Sequence, residues 1–191
     1  SPMNARVVSR VLAPVVLALI SGVAGAACVP VLGSVRLLPD ASCQINALGS
    51  QVPAYQNQCF SVALNLVGFP AATGFAGVTA EPLVGLSGPT ATPAAVIDAA
   101  TSLPRQSIQT ARSVVYIGTG KHRTALYSND VIVAQVKLAA DGSMSTGAVT
   151  EQILISGSDG KGAYAKVTGH LNVLGNSIGT SASVTGKLCL P

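Results

Sequence analysis

Short apolar runs separated by clusters of turn residues make up most of the chain from residue 28 onward. CVPVLGSVRLL (28–38) and QCFSVALNLVGF (58–69) are rich in branched residues and predict two strands. From residue 107 the alternation becomes regular. It predicts five further strands, with turns between them: SIQTARSVVYI (107–117), TALYSNDVIVAQVKLA (124–139), AVTEQILIS (148–156), AYAKVTGHLNVLG (163–175) and TSASVTGKLCLP (180–191).

The middle of the chain has a weaker pattern. Residues 70–93 are rich in Gly and Pro and predict a loop with short extended pieces. Residues 92–104 fit either a short helix, with Thr92 as N-cap and Pro93 in its first turn, or a loop. Repeated strand and turn units without a long helix indicate an all-β, antiparallel sandwich or barrel in a single domain. An Asp141-Gly142 pair predicts a hairpin turn.

The first 26 residues have the composition of a secretory signal peptide. Arg6 and Arg10 precede an apolar run that ends in Ala24-Gly25-Ala26, a small-residue cleavage site. Ser1-Pro2 before Met3 are interpreted as an N-terminal remnant. A permanent membrane anchor is the alternative, although Pro14 and the shortness of the run disfavour it. The mature domain would cover residues 27–191, and the protein would be secreted or periplasmic.

Charge narrows the range of partners. The whole chain carries a formal net charge of +4, and removing the two signal arginines lowers this value to +2. There is no basic run and aromatic residues make up only 4%, so the composition does not favour a nucleic-acid partner. No second apolar run is long enough to predict a membrane span after cleavage.

Four cysteines lie in the predicted mature part, which favours two disulfides in an oxidising compartment. Three pairings are open. We favour Cys28–Cys189, which would join the chain ends, and Cys43–Cys59, which would close a local loop. Lipidation of Cys28 is the alternative, although Gly25 stands where a bulky apolar residue is usual. The spacings match no zinc pattern, so we predict no metal site and no cofactor.

Three charged residues lie on apolar strand faces. Period-two alternation places Glu151 with Val149, Ile153 and Ile155, and it places Asp130 with the apolar residues of its own strand. Arg112 shares a strand face with Ile108, Val114 and Tyr116. Because the three strands are consecutive, all three charges are expected to point into one interior.

An arginine between two acids has a structural and a functional interpretation. The structural one is a satisfied internal ion pair that fixes the strand register. The functional one makes Glu151 or Asp130 an acid or base with a raised pKa in an apolar cavity, with Arg112 steering charge. Three tyrosines either line a ligand pocket or simply pack in the core: Tyr116, Tyr127 and Tyr164.

Several segments resemble the dirigent proteins and the bacterial secreted proteins of the allene oxide cyclase barrel-like group. TEQILISG (150–157) and GAYAKVTG (162–169) are similar to the strand-turn-strand of dirigent proteins, through Glu151, Gly157, Gly160 and Gly169. FAGVTAEPL (75–83), ARSVVY (111–116) and ALYSNDV (125–131) are similar to recurrent segments of the bacterial group. The resemblance implies an eight-stranded, antiparallel, calycin-like β-barrel with a central cavity.

The resemblance also implies site residues and partners. Glu151 aligns with a dirigent glutamate, and Asp130 looks like the acid of a recurrent Leu-Tyr-x-x-Asp segment. Plant members steer or catalyse cyclisation of reactive apolar intermediates. Dirigent-like barrels often associate, so a homo-oligomer is an open expectation.

Three functions follow from these observations. The first is a secreted, disulfide-stapled barrel that binds a small apolar molecule without chemistry. The second is a cyclase or isomerase that uses the interior carboxyls. The third is a structural or surface protein whose interior is packed solid. An open interior favours the first two, and an acid without a counter-charge favours the second.

Overall fold

The computed structural model describes residues 27–48, 53–79, 83–85, 88–90, 94–97, 99–100, 102 and 104–191. The predicted signal peptide, residues 1–26, lies outside the described residues. So do Thr92 and Pro93, which were the predicted start of a short helix.

Eleven strands are described, together with one short α-helix and one turn of 3₁₀-helix. The strands are β1 Ala27–Pro39, β2 Ala54–Leu66, β3 Ala72–Thr79, β4 Leu83–Gly85, β5 Gly88–Thr90, β6 Ala94–Ile97, β7 Pro104–Ile117, β8 Thr124–Leu138, β9 Met144–Ser158, β10 Thr168–Leu174 and β11 Ser181–Leu190. The helices are α1 Gln44–Ala47 and the 3₁₀ turn Gly120–His122.

Nine strands form one antiparallel sheet in the order β3-β2-β1-β11-β10-β9-β8-β7-β6. The strand β7 has two neighbours on one side, because β6 pairs with its first residues and β3 pairs with Thr110–Ile117. Since β3 also pairs with β2, eight strands form a closed sequence of pairings, which we call the eight-strand ring. Strands β4 and β5 form a separate two-stranded sheet.

The strand predictions are confirmed wherever the alternation was regular. Strands β1, β2, β7, β8, β9, β10 and β11 all overlap the predicted runs, and the largest delay is in β10, which begins at Thr168. The predicted loop at 70–93 contains β3, which is a full strand of the ring. The helix suggested for 92–104 is wrong over Ala94–Ile97, where the chain is extended and pairs with β7.

Both favoured disulfides are present, and they use all four cysteines. Cys28–Cys189 joins directly paired positions of β1 and β11. Cys43–Cys59 ties the segment before α1 to β2. The first bond uses the sulfur that a lipid anchor on Cys28 would need, so the structure favours the disulfide alternative.

Two apolar clusters lie on opposite sides of the sheet. The larger cluster lies on the inner face of the ring and includes residues such as Val31, Leu171 and Val184. The smaller packs on the outer face, where α1 and the Cys43–Cys59 bond cover β2, β3 and β7. Gly77 permits this cover, because a Cβ there would meet the side chains of Ala54 and Ile45. One stretch of the ring is therefore buried on both of its faces.

Candidate functional site

An apolar cavity lies inside the eight-strand ring. Its walls come from the inner faces of strands on opposite sides of the ring, and the volume that centres of water-sized molecules can occupy is about 70 Å³. That volume is enough for several waters or a short apolar chain. The described residues of its wall are Val35, Leu37, Val62, Leu64, Leu66, Ala72, Ala76, Ser113, Val115, Ile117, Leu126, Tyr127, Ser128, Glu151, Ile153, Ile155 and Leu188.

A wider and more polar space adjoins this cavity toward the β8–β9 turn. Its volume, measured in the same way, is about 300 Å³. Polar side chains contribute to its wall, among them Gln58, Gln109 and Asn176. Leu37, Ala76 and Glu151 line both spaces, so the Glu151 carboxyl stands at the boundary between them. We call the wider space the mouth.

Asp130 is one of the most deeply buried side chains, with 2% of its surface exposed. It lies on the inner face of β8 because the strand alternates, with Leu126, Ser128 and Ile132 on the same side. The Ser113 hydroxyl of β7 donates a hydrogen bond to the Asp130 Oδ2, at 2.6 Å. A buried carboxylate is thus held by a neutral donor from the adjacent strand.

Glu151 lies beside Asp130 on the same inner face. Glu151 of β9 pairs with Ile132 of β8, two positions from Asp130, so the two carboxyls are diagonal neighbours. Burial disfavours the charged form of Glu151, and the negative charge of Asp130 disfavours it further. Together they raise the pKa of Glu151 from its ordinary 4.5 to about 8. At neutral pH the site therefore holds a protonated carboxylic acid at the rim of an apolar cavity.

Arg112 does not share this face, and the structure differs here from the sequence-based expectation. Ser113, Val115 and Ile117 are the β7 residues that line the cavity, so Arg112 lies on the outer face. The outer neighbour Val114 is buried in the smaller apolar cluster. Both faces of β7 are covered, so its apolar pattern does not reveal which face turns inward. The sequence pattern therefore pointed to Arg112 and not to Ser113. The one feature of the sequence that could have indicated Ser113 is that it shares a strand face with Val115 and Ile117.

The three predicted ligand-binding tyrosines occupy different places. Tyr127 contributes to the cavity wall but is 40% exposed. Tyr116 lies on the outer face, where the Arg123 guanidinium stacks 3.9 Å from its ring centre. Tyr164 packs against the inner cluster, with its ring centre 6.2 Å from that of Phe69. The structure does not bring these tyrosines together.

Two further features were sought in the part of the chain that the structure describes. No three His, Cys, Asp or Glu side chains there come together as metal ligands would. Within the same residues, no helix has the length and apolar character needed to cross a membrane.

Comparison with known proteins yields no relative. No family model matches the chain, and no curated protein or solved structure matches it significantly. Any function must therefore be argued from the cavity, from the Glu151 carboxyl that lines it and from the buried Asp130 beside it.

Proposed function

We propose that this protein is a secreted β-barrel that binds a small apolar molecule in its interior. The observation that carries the proposal is the apolar cavity inside the eight-strand ring, whose walls come from strands far apart in sequence. Small-molecule sites are concave and mostly apolar, with a few placed polar groups. The two disulfides fit a chain that folds in an oxidising compartment. A solid interior, which the structural-protein alternative requires, fits less well.

A neutral ligand tests this proposal. 1-Hexanol, added to the ¹⁵N-labelled disulfide-bonded protein, is expected to shift amide signals of wall residues such as Val115, Ile153 and Ile155. Ala76→Leu adds bulk where the cavity meets its mouth and is expected to abolish the shifts. Ala63→Leu, on the exposed outer face of β2, is the matched control and is expected to leave them unchanged. Saturable shifts confined to the outer face, or none at all, would exclude the cavity as the site.

A cyclase or isomerase of the dirigent or allene oxide cyclase type is the second candidate. One observation favours it: a carboxyl with a pKa of about 8 can donate a proton at neutral pH. In this reaction class Glu151 would protonate the substrate and Asp130 would stabilise the positive charge that develops. A ¹³C-detected titration of the carboxyls, with Glu151→Gln to assign the signal, tests it. If Glu151 titrates near pH 4.5, no tuned acid exists and this candidate falls.

A further inference from the structure

The inner face of the ring changes from apolar to polar along its strands. On β7, Val115 lines the cavity and Gln109 lines the mouth. On β2, Leu64 lines the cavity and Gln58 lines the mouth. Alternate residues of a strand share a face, so each of these strands presents an apolar segment to one space and a polar segment to the next. A molecule that fills both spaces therefore needs an apolar part and a polar part.

Uncharged hydrogen-bonding groups make up most of the polar part of the mouth wall. The described wall residues that carry an amide or a hydroxyl group are Gln58, Ser107, Gln109, Thr146, Asn176 and Ser177. Glu151 is the one ionisable side chain among the described residues of this wall. Amide side chains have both donors and acceptors, and a hydroxyl group can act as either. The wall is therefore suited to a polar group that also donates and accepts, such as a set of sugar hydroxyl groups.

Two polar side chains of this wall lie in one row across the sheet. Gln109 of β7 pairs with Ile132 of β8, and Ile132 pairs with Glu151 of β9. Neighbouring strands are about 4.8 Å apart, so the backbones of the two polar residues are roughly 10 Å apart. Both side chains line the mouth, on either side of Ile132. A single hydroxylated six-membered ring can lie over this isoleucine and reach both polar groups.

The hydrogen-bonding groups of the mouth are open to a ligand. The side chains of Gln58, Gln109 and Ser177 make no hydrogen bond with any described residue. Gln58 and Gln109 are half-buried, and Ser177 is 7% exposed. Polar groups that are largely removed from solvent normally have hydrogen-bond partners. A ligand head that supplies those partners would be stabilised in the mouth.

The loop between β10 and β11 forms one side of the mouth and is held in place by its backbone. The Leu37 N–H donates to the Ser177 carbonyl oxygen at 2.8 Å, and the Gly179 N–H donates to the Leu37 carbonyl oxygen at 2.8 Å. At the other end of the loop, the Gly175 N–H donates to the Val149 carbonyl oxygen at 2.9 Å. The loop is thus attached to both β1 and β9. A wall that is already ordered loses little conformational entropy when a ligand binds.

We propose that the ligand of this cavity is an amphiphile with a short apolar chain and an uncharged, polyhydroxylated head, as in a short alkyl glycoside. This inference rests on the proposed binding function and specifies its ligand class. The chain would occupy the apolar cavity, whose volume of about 70 Å³ limits the chain length. The head would fill the larger mouth, of about 300 Å³, and exchange hydrogen bonds with Gln58, Gln109 and Ser177.

A matched set of four ligands tests the inference: hexyl glucoside, methyl glucoside, 1-hexanol and hexylamine. In calorimetry on the disulfide-bonded protein at pH 7, hexyl glucoside is expected to bind roughly tenfold or more tightly than 1-hexanol, because hydrogen bonds of the head add to burial of the chain. Methyl glucoside lacks the chain and should bind most weakly. Hexylamine has the chain but not the hydroxylated head, so it should bind less tightly than hexyl glucoside.

Nuclear magnetic resonance locates the two parts of the ligand. The backbone amide signals of Val115 and Ile153 should shift with both hexyl glucoside and 1-hexanol. The side-chain amide signals of Gln58 and Gln109 should shift with hexyl glucoside and not with 1-hexanol. This comparison uses the wild-type protein, so it tests the inference even where a variant folds poorly.

Matched variants test the head group separately from the chain. Gln109→Met keeps the length of the side chain and removes its amide, so hexyl glucoside affinity should fall by roughly threefold to tenfold while 1-hexanol affinity is kept. Gln152→Met, on the exposed outer face of β9, is the control and should change neither affinity. Ala76→Leu, where the cavity meets its mouth, should weaken both ligands.

The outcomes separate the two proposals. If 1-hexanol binds in the cavity and hexyl glucoside binds no more tightly, the head-group inference is overturned and apolar binding stands. Tighter binding of hexylamine than of hexyl glucoside would also overturn it, because the mouth would then select a cation. An unchanged hexyl glucoside affinity in Gln109→Met, without shifts of the glutamine side chains, would place the head outside the mouth. If no ligand shifts the wall residues, both proposals fall.

Discussion

Two inward carboxyls set the chemistry of this protein at the scale of single residues. Alternation along the sequence places Glu151 and Asp130 on apolar faces, and the strand register places both on the inner face of the ring, where Glu151 lines the cavity. The two differ in their surroundings, since Ser113 donates to Asp130 while Glu151 meets the cavity. Because two nearby carboxylates resist joint ionisation, one of them retains a proton.

The first prediction concerns the pH dependence of stability in Glu151→Gln. Below pH 4.5 the Glu151 carboxyl is protonated in both the folded and the unfolded chain. Between pH 4.5 and about 8 the unfolded chain ionises and the folded chain does not, so the stability of the wild type falls as pH rises. The glutamine variant lacks this loss. It is expected to gain stability over the wild type across that window, by about a few kcal/mol at pH 8.

Urea unfolding at several pH values measures this difference. Asp159→Asn, which removes an exposed turn carboxyl, is the matched control. Its free energy of unfolding should change with pH as that of the wild type does. If the free energy of unfolding of Glu151→Gln also follows that of the wild type from pH 4.5 to 8, the Glu151 carboxyl is not protonated in the folded protein.

The second prediction concerns Ser113→Ala. This change removes the hydrogen bond to a buried carboxylate, and losses of this kind cost about 1–3 kcal/mol. Ser128→Ala is the control, because Ser128 is the paired residue on β8 and lines the same cavity, but is not the donor to Asp130. Chemical unfolding at pH 7 should show a clearly larger loss in the free energy of unfolding for Ser113→Ala than for Ser128→Ala. Equal losses would mean that the Ser113–Asp130 bond is not a special contributor.

At the scale of elements, the β8–β9 turn could be predicted from its own residues. The β8–β9 hairpin turns where Asp141-Gly142 predicts, and Gly142 has a φ of +83°. Asp141 supports the turn, since its Oδ1 accepts from the backbone N–H and the hydroxyl of Ser143 at 2.9 and 2.6 Å. These bonds lower the pKa of Asp141. Local chemistry of this kind is readable without the rest of the fold.

The third prediction compares two glycines near the ends of β9. Gly142→Ala is expected to destabilise by about 1–2 kcal/mol, because a positive φ strains a residue that carries a Cβ. Gly157→Ala has open space around the new Cβ and no positive φ, so it should be neutral or stabilising by up to about 1 kcal/mol. Thermal unfolding of the two variants tests this ranking. A similar loss of stability in both variants would show that the positive φ of Gly142 does not set the cost.

At the scale of the whole molecule, closure of the ring depends on contacts between distant segments. The pairing of β3 with β7 joins residues 72–79 to residues 110–117, and β1 pairs with β11 across nearly the whole chain. Cys28–Cys189 locks the second of these closures, with a sequence separation of 161. A covalent link over so long a loop removes much of the entropy of the unfolded chain.

The fourth prediction follows from the two loop lengths. Replacing Cys28 and Cys189 by Ala should cost about 5 kcal/mol in the chain-entropy model, because the loop is long. Replacing Cys43 and Cys59 by Ala removes a bond of separation 16 and should cost about 3 kcal/mol. Urea unfolding of both double variants measures the difference. A larger loss for the shorter loop would mean that packing of the buried sulfurs, not chain entropy, dominates.

The sequence by itself determined most strand positions, the hairpin turn, the inward acids and the number of disulfides, while it only favoured the pairing that the structure shows. Each of these depends on local geometry: alternation, turn chemistry or the number of available cysteines. Glu151 could be placed because the other face of β9 is polar and largely exposed, so only one face fits the interior.

Only the tertiary structure decided that β3 joins the ring, and that Ser113 rather than Arg112 faces the cavity. Two alanines and two glycines among its eight residues weaken the strand signal of β3, and pairing with β2 and β7 places it in the ring. On β7 the pattern is ambiguous because α1 and the Cys43–Cys59 bond bury its outer face as well. A hydrophobic pattern shows that a strand face is buried, but it does not show whether that face is buried inside the ring or outside it. Contacts between distant parts of the chain therefore determine which side chains line the cavity.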